Sequence, residues 1–214
     1  MVKTMDAPIC LFDAIYGRRS VRDYTSRPVD EATVQTLLEA AVHAPTAMHE
    51  EPWSFVVVQD GEALKRISDQ AKAMWRRELA AQAHARSGGG RGPDATDLAK
   101  RLADPDFNIF YNAATLIVIT TKPRGQFVIA DCWLAAENLM LAAHGLGFGS
   151  CCIGFALGAL GEPATRSELA LPAAAIPVAA IIVGQAAGTP PPVGRKPPAI
   201  LSWLKAGPPA HTAR

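Results

Sequence analysis

Between positions 127 and 146 the chain reads FVIADCWLAAENLMLAAHGL. Ile129, Ala130, Trp133, Leu134, Leu139, Met140, Leu141 and Leu146 fall on several faces of a helix rather than on one stripe. A helix that is apolar nearly all round must be covered nearly all round, at the centre of a domain or at a subunit interface. Asp131, Glu137 and Asn138 interrupt it. They read as paired core or interface polar groups, because no spacing among them suits acid–base work.

Three runs rich in β-branched residues supply partners for such a helix: Ser54 to Val58, Thr115 to Thr120 and Ile176 to Val183. Each is short and almost wholly apolar, as buried strands are. Helical periodicity fills the intervals. Residues 10–18 offer Leu11, Ala14 and Ile15. Asp30 can cap a helix carrying Val34, Leu37, Leu38 and Ala41, which Pro45 stops. Residues 61–85 place Leu64, Ile67, Ala71, Met74 and Trp75 on one face. Shorter helices are expected over 96–103 and from Pro163 to about Ala170. Phe107, Phe110 and Tyr111 read as a core-facing helical turn rather than a substrate wall. Without repeats or a clear boundary, residues 1–214 make a single α+β or three-layer domain. Residues 87–93 are a flexible excursion, either a lid or a loop without a role, and 205–214 are a loose tail.

Apolar residues make up 49% of the chain, enough for a core, and the net charge of +1 gives no support for a nucleic-acid or membrane-surface partner. No uncharged apolar run of about 18 residues marks a membrane span, and no basic-then-apolar leader marks export. Cys10, Cys132, Cys151 and Cys152 lack metal-type spacing, so no metal is expected and free thiols in a reducing cytoplasm are the default. The adjacent Cys151 and Cys152 are poor disulfide partners for each other.

Gly17 to Tyr24, GRRSVRDY, packs Arg18, Arg19 and Arg22 around Ser20. Arginine presents a fixed fork of donors that matches a phosphate, and a hydroxyl adds a short donor. The same residues also make an ordinary solvated basic turn. Ala44 to Trp53, APTAMHEEPW, is a loop by composition, leading into the first strand, and is either a ligand loop or a plain connection. Gly145 to Gly149 is not a dinucleotide fingerprint, since it follows a helix instead of linking a strand to one. It ends the helix and permits close backbone approach. Arg195 and Lys196 form a second basic pair on a Pro-rich segment.

Taken together and in order, these stretches resemble the nitroreductase family of flavin mononucleotide (FMN) enzymes, from about Phe12 to Pro198. RRSVRDY at 18–24 looks like the family's phosphate-binding opening. APTAMHEEPWSFVVV at 44–58 looks like its Ala-Pro-Ser-x-x-Asn-x-Gln-Pro-Trp loop and strand. Residues 131–154 look like its central helix and flavin-facing turn, and 176–198 like its last strand and closing arginine. The resemblance implies a three-layer α+β fold, its central, mostly antiparallel sheet flanked by helices, in an intertwined homodimer with FMN at the interface. It implies that Arg18, Arg19, Ser20 and Arg195 hold the phosphate and ribityl chain. Arg22, the one residue given a catalytic role, would stabilise negative charge at the flavin N1/O2 edge. Pro45, Thr46, Ala47 and His49 would come from the partner subunit, and the backbone of Cys152, Ile153 and Gly154 would face the ring.

The implied activity is ping-pong hydride transfer from NADH or NADPH to a nitroaromatic, quinone or activated alkene. Reductive dehalogenation, flavin breakdown or mere flavin binding are the alternatives on the same fold. Two positions depart from the family pattern: His49 stands for its Asn and Glu51 for its Gln. A histidine brings a pH-dependent charge to that loop. Cys151 and Cys152 read as structural thiols, with redox activity beside a flavin as the other option.

Overall fold

The computed structural model describes residues 9–85, 93–122 and 125–205. Its helices are α1 (Leu11–Gly17), α2 (Glu31–Val42), α3 (Gly61–Ala85), α4 (Pro93–Ala103), α5 (Val128–Gly145), α6 (Ala156–Gly161) and α7 (Pro163–Glu168). Its strands are β1 (Trp53–Val58), β2 (Thr115–Thr121), β3 (Gly149–Cys152) and β4 (Ile176–Gly184). The strands form one antiparallel sheet in the order β1-β2-β4-β3.

Period-two alternation divides the core between the two faces of that sheet. Leu116 and Val118 of β2, with Ala180 and Ile182 of β4, pack beneath Leu64, Ile67 and Ala71 of α3 and Ala156, Ala159 and Leu160 of α6. Ile117 and Ile119, with Ile181 and Val183, meet Leu37 and Ala41 of α2 and Ala135, Leu139 and Ala143 of α5. This is the expected three-layer α+β arrangement. The register slips by one residue where Ile119 faces Ala179 but Thr120 faces Pro177. Val178 is the extra residue, which turns it and Ala179 to the same face.

The long apolar helix is covered only in part within one chain. Cys132, Ala135, Ala136 and Leu139 are fully buried, whereas Phe127, Ile129, Trp133 and Leu134 remain exposed, as do Leu11, Phe12, Ile15 and Tyr16 of α1.

Asp30 caps α2 as expected, its Oδ1 accepting from the Thr33 N–H at 2.9 Å. The glycine run permits the close approach expected of it: a Cβ at Gly149 would lie 2.7 Å from a Val21 methyl. The short β3 that starts there, Gly149–Cys152, is a strand the sequence does not mark. One expectation fails. Phe107 to Tyr111 forms turns instead of a helical turn. Its backbone is tied to α3: Lys72 Nζ donates to the Asp104 and Phe107 carbonyls at 2.9 and 2.8 Å, and the Ile109 N–H donates to Ser68 Oγ at 3.1 Å. Tyr111 and Asn112 then take left-handed φ values of 52° and 62°. Of the 87–93 excursion, residues 87–92 lie outside the described residues and Pro93 opens α4. The tail expected over 205–214 lies outside them beyond Lys205.

Candidate functional site

Residues 18–24 leave α1 as an extended segment and run along the edge of the sheet. The Val21 N–H donates to the Ser150 carbonyl at 3.0 Å, and the Thr25 N–H to that of Gln185 at 3.0 Å. Ser20 bridges Ser150, and Tyr24 bridges Ala186. The segment borders two cavities in succession.

The first, of about 450 Å³, is lined by Arg18, Arg19, His144, Ser150 and the start of the Pro-rich segment at Thr189 and Pro190. It holds two buried donors without a hydrogen-bond partner, Arg18 Nε and Ser150 Oγ. Arg18 Nε sits 3.4 Å from a Glu137 carboxylate oxygen, an ion-pair distance without hydrogen-bond alignment. Arg19 is partly spent, its Nη1 donating to the Tyr16 and Arg18 carbonyls at 2.6 and 2.8 Å. Burial, then Arg18 and Arg19, push the His144 imidazole below its ordinary pKa of 6.5. Unsatisfied donors beside two guanidiniums fit an anion with several acceptor oxygens, such as a phosphate.

The second cavity, of about 330 Å³, brings Arg22 together with Cys152, Ile153 and Gly154 against Trp75, Phe107 and Tyr111. It offers one cation, an aromatic wall and a run of backbone. The Ile153 N–H is spent on the Ala180 carbonyl at 2.7 Å, whereas Gly154 is exposed and its N–H donates to no backbone carbonyl among the described residues. Trp75 is fixed edge-on to Phe155, with ring centroids 4.8 Å apart, and its Nε1 donates to the Phe155 carbonyl at 3.2 Å. Planarity and an electron-rich wall suit a flat heteroaromatic ring.

Ser20 lies between the cavities and lines neither. Pro45, Thr46, Ala47 and His49 lie elsewhere. Their loop, a 3-10 turn over Ala47–His49, is held at the N-terminal end of α5, where Asp131 accepts from the Ala47 N–H at 3.3 and 3.4 Å. His144 and the first cavity lie at the other end of α5, so 13 residues of helix, roughly 20 Å, separate the two. Within one chain the loop and the arginine segment do not meet. Met48, His49 and Glu51 take left-handed φ values of 56°, 54° and 41°, strain held in an exposed loop. Arg195 is exposed in a segment without regular structure and lines neither cavity, though its neighbours Thr189, Pro190 and Pro192 line the first.

The paired thiols are separated by strand alternation. Cys151 belongs to the α3/α6 core and Cys152 packs with the α2/α5 core, on opposite faces of the sheet. Burial pushes both thiols above their usual pKa, which favours the protonated form, and both border the second cavity.

His144, Ser150 and the aromatic wall were not among the site residues read from sequence. Trp75 shows helical core spacing, and the spacing of Phe107 and Tyr111 reads as core. The only signal for Ser150 was its place after the glycines, beside the flavin-facing turn.

A family model described as the nitroreductase family matches residues 15–185. Two archaeal proteins, both provisionally named NADH dehydrogenase/NAD(P)H nitroreductase, align over 140 residues: one from Archaeoglobus fulgidus at 34% identity and one from Methanothermobacter thermautotrophicus at 29%. Each alignment takes in 65% of this chain, and 64% and 58% of the respective relative, so the chain spans less than two thirds of either. A Bacteroides fragilis nitroreductase with bound FMN superposes with a TM-score of 0.71 at 26% identity, over 92% of this chain and 98% of that one.

Proposed function

This chain belongs to the nitroreductase family, and from that premise we propose that it is an FMN-dependent oxidoreductase using NADH or NADPH. The observation that carries the reading is one extended segment bordering both cavities: Arg18 and Arg19 in the first, Arg22 in the second. Four residues of extended chain span about 13 Å, room for a phosphate at one end and a ring at the other.

Arg18, Arg19 and the Ser150 hydroxyl would hold the phosphate, with Ser20 at the ribityl chain and Arg195 reaching in from its exposed segment. Arg22 would stabilise negative charge at one ring edge, as a cation placed beside the ring. The Gly154 N–H, which donates to no backbone carbonyl among the described residues, would be the donor to the ring from the Cys152–Gly154 run. FMN, when bound, would supply the redox chemistry that links NADH or NADPH to a nitroaromatic, quinone or activated alkene. Trp75, Phe107 and Tyr111 would shape the space for a flat substrate.

The partner this reading requires is a second copy of the chain. The exposed apolar faces of α1 and α5 supply the interface, and the second copy's Pro45, Thr46, Ala47 and His49 complete the site, which accounts for their distance from it within one chain. The described part of the chain folds round one sheet, and we read the whole as one domain. Four free thiols support a reducing cytoplasm.

The test is the visible absorption spectrum of the purified protein, followed by anaerobic addition of NADPH or NADH. Flavin bands that bleach are expected. Bands that persist with both nicotinamides overturn the reductant, and a colourless protein that fails to bind added FMN overturns the whole reading.

A further inference from the structure

We propose that His144 is the proton-accepting wall of the cavity at Arg18 and Arg19: when a phosphate monoester enters, the imidazole binds a proton from solvent, so that cofactor binding is coupled to pH. The inference rests on the FMN reading of this cavity.

His144 stands one residue before the end of α5, where that helix packs on α1. Its ring lies against Gly17, and a Cβ there would sit 2.8 Å from Nε2. The missing side chain is therefore what lets the imidazole reach the cavity wall. The ring makes no side-chain hydrogen bond among the described residues, so among them a proton on it has no acceptor already engaged.

The charged groups that act on the ring are Arg18 and Arg19. The two helices that hold it carry Asp13 on α1 and Asp131 and Glu137 on α5, and Glu137 is paired with Arg18. The remaining wall, from Gly147 to Ser150 and from Ala186 to Pro192, contributes no titratable side chain. Two guanidiniums and burial thus oppose a third positive charge. A phosphate monoester carries about −1.5 to −2 near neutral pH. Placed among these groups it reverses the local field, and the protonated imidazole becomes a further donor to it.

Isothermal titration calorimetry of the apoprotein with FMN, at about pH 7 in two buffers of different ionisation enthalpy, reads the proton uptake directly. The wild type is expected to take up a large fraction of one proton per FMN, and His144→Gln close to none. Riboflavin, which lacks the phosphate, gives no uptake with either protein. By NMR, the titration midpoint of the wild-type His144 ring moves up on FMN binding, a readout that holds even if the variant folds poorly. FMN that binds with equal proton uptake in both proteins, or with an unmoved midpoint, overturns the role of His144. Failure to bind FMN at all overturns the cofactor reading instead.

Discussion

Arg18 and Glu137 stand 3.4 Å apart and tie the segment after α1 to the middle of α5. Glu137 is about half exposed and Arg18 mostly covered, so the pair tethers the arginine weakly while offsetting charge that an anion would otherwise meet. A pair of this exposure is worth roughly 0.2–1 kcal/mol. Glu137→Gln is expected to tighten FMN by up to about fivefold, with a steeper salt dependence. Weakening beyond about tenfold, measured by fluorescence quenching, would show that the carboxylate's role is to aim the guanidinium.

The two cavities make separable demands. Arg18→Ala removes a charge-assisted donor worth roughly 1.5–3 kcal/mol, and FMN affinity is expected to fall by about ten- to a hundredfold while riboflavin affinity stays within about twofold. Arg22→Ala weakens both ligands and lowers the flavin reduction potential, because it removes a cation beside the reduced ring. Equal losses for both ligands in Arg18→Ala would break the division into a phosphate end and a ring end.

The apoprotein carries a pH signature of His144. Its folded pKa lies below the ordinary 6.5, so below that pH the unfolded chain binds more protons than the folded one. The stability this histidine contributes is present above about pH 6.5 and is lost as the pH falls towards its depressed folded value. Urea midpoints between about pH 5 and pH 8 should therefore fall more steeply on acidification in wild type than in His144→Gln. Parallel curves would assign acid sensitivity to other groups.

Asp131 is 4% exposed and its carboxylate accepts from the Ala47 N–H. Asp131→Ala leaves that N–H without its partner and frees a strained turn, for a loss of about 1–3 kcal/mol. Asp131→Asn keeps an acceptor and is expected to lose less than half as much. The check is the thermal midpoint of each variant, read alongside FMN affinity, which falls too if the loop completes a second copy's site.

Tyr24 gives the opposite sign. Its hydroxyl is buried without a partner, and burial, aided by the neighbouring Cys151, raises its pKa, so it stays neutral and unsatisfied. Tyr24→Phe is expected to leave stability unchanged or raise it by about 1 kcal/mol. Gly184→Ala destabilises by about 1–3 kcal/mol, since its Cβ would meet the Tyr24 ring at 3.0 Å. A destabilised Tyr24→Phe would reveal a partner for the hydroxyl in the assembled protein.

Much of this molecule is written in local sequence. The strands at 53–58, 115–121 and 176–184 follow from β-branched runs that have few other stable uses, and α2 and α3 from caps, a stopping proline and apolar spacing. Arg18, Arg19 and Arg22 stand out because three guanidiniums in five residues are chemically conspicuous wherever they lie. Tertiary structure decided what spacing could not encode. Phe107 and Tyr111 have the spacing of a helical turn, but Lys72 and Ser68 claim the backbone of this segment at Asp104, Phe107 and Ile109, and two of its aromatic rings end up in a cavity wall. Ser150 and His144 join Arg18 only because segment 18–24 adds to the edge of the sheet and α5 packs on α1. The paired cysteines read as one unit along the chain, yet the pleat sends them to opposite faces. Periodicity fixes which face a residue takes, while which residues meet across that face depends on long-range packing, and the two cavities are made there.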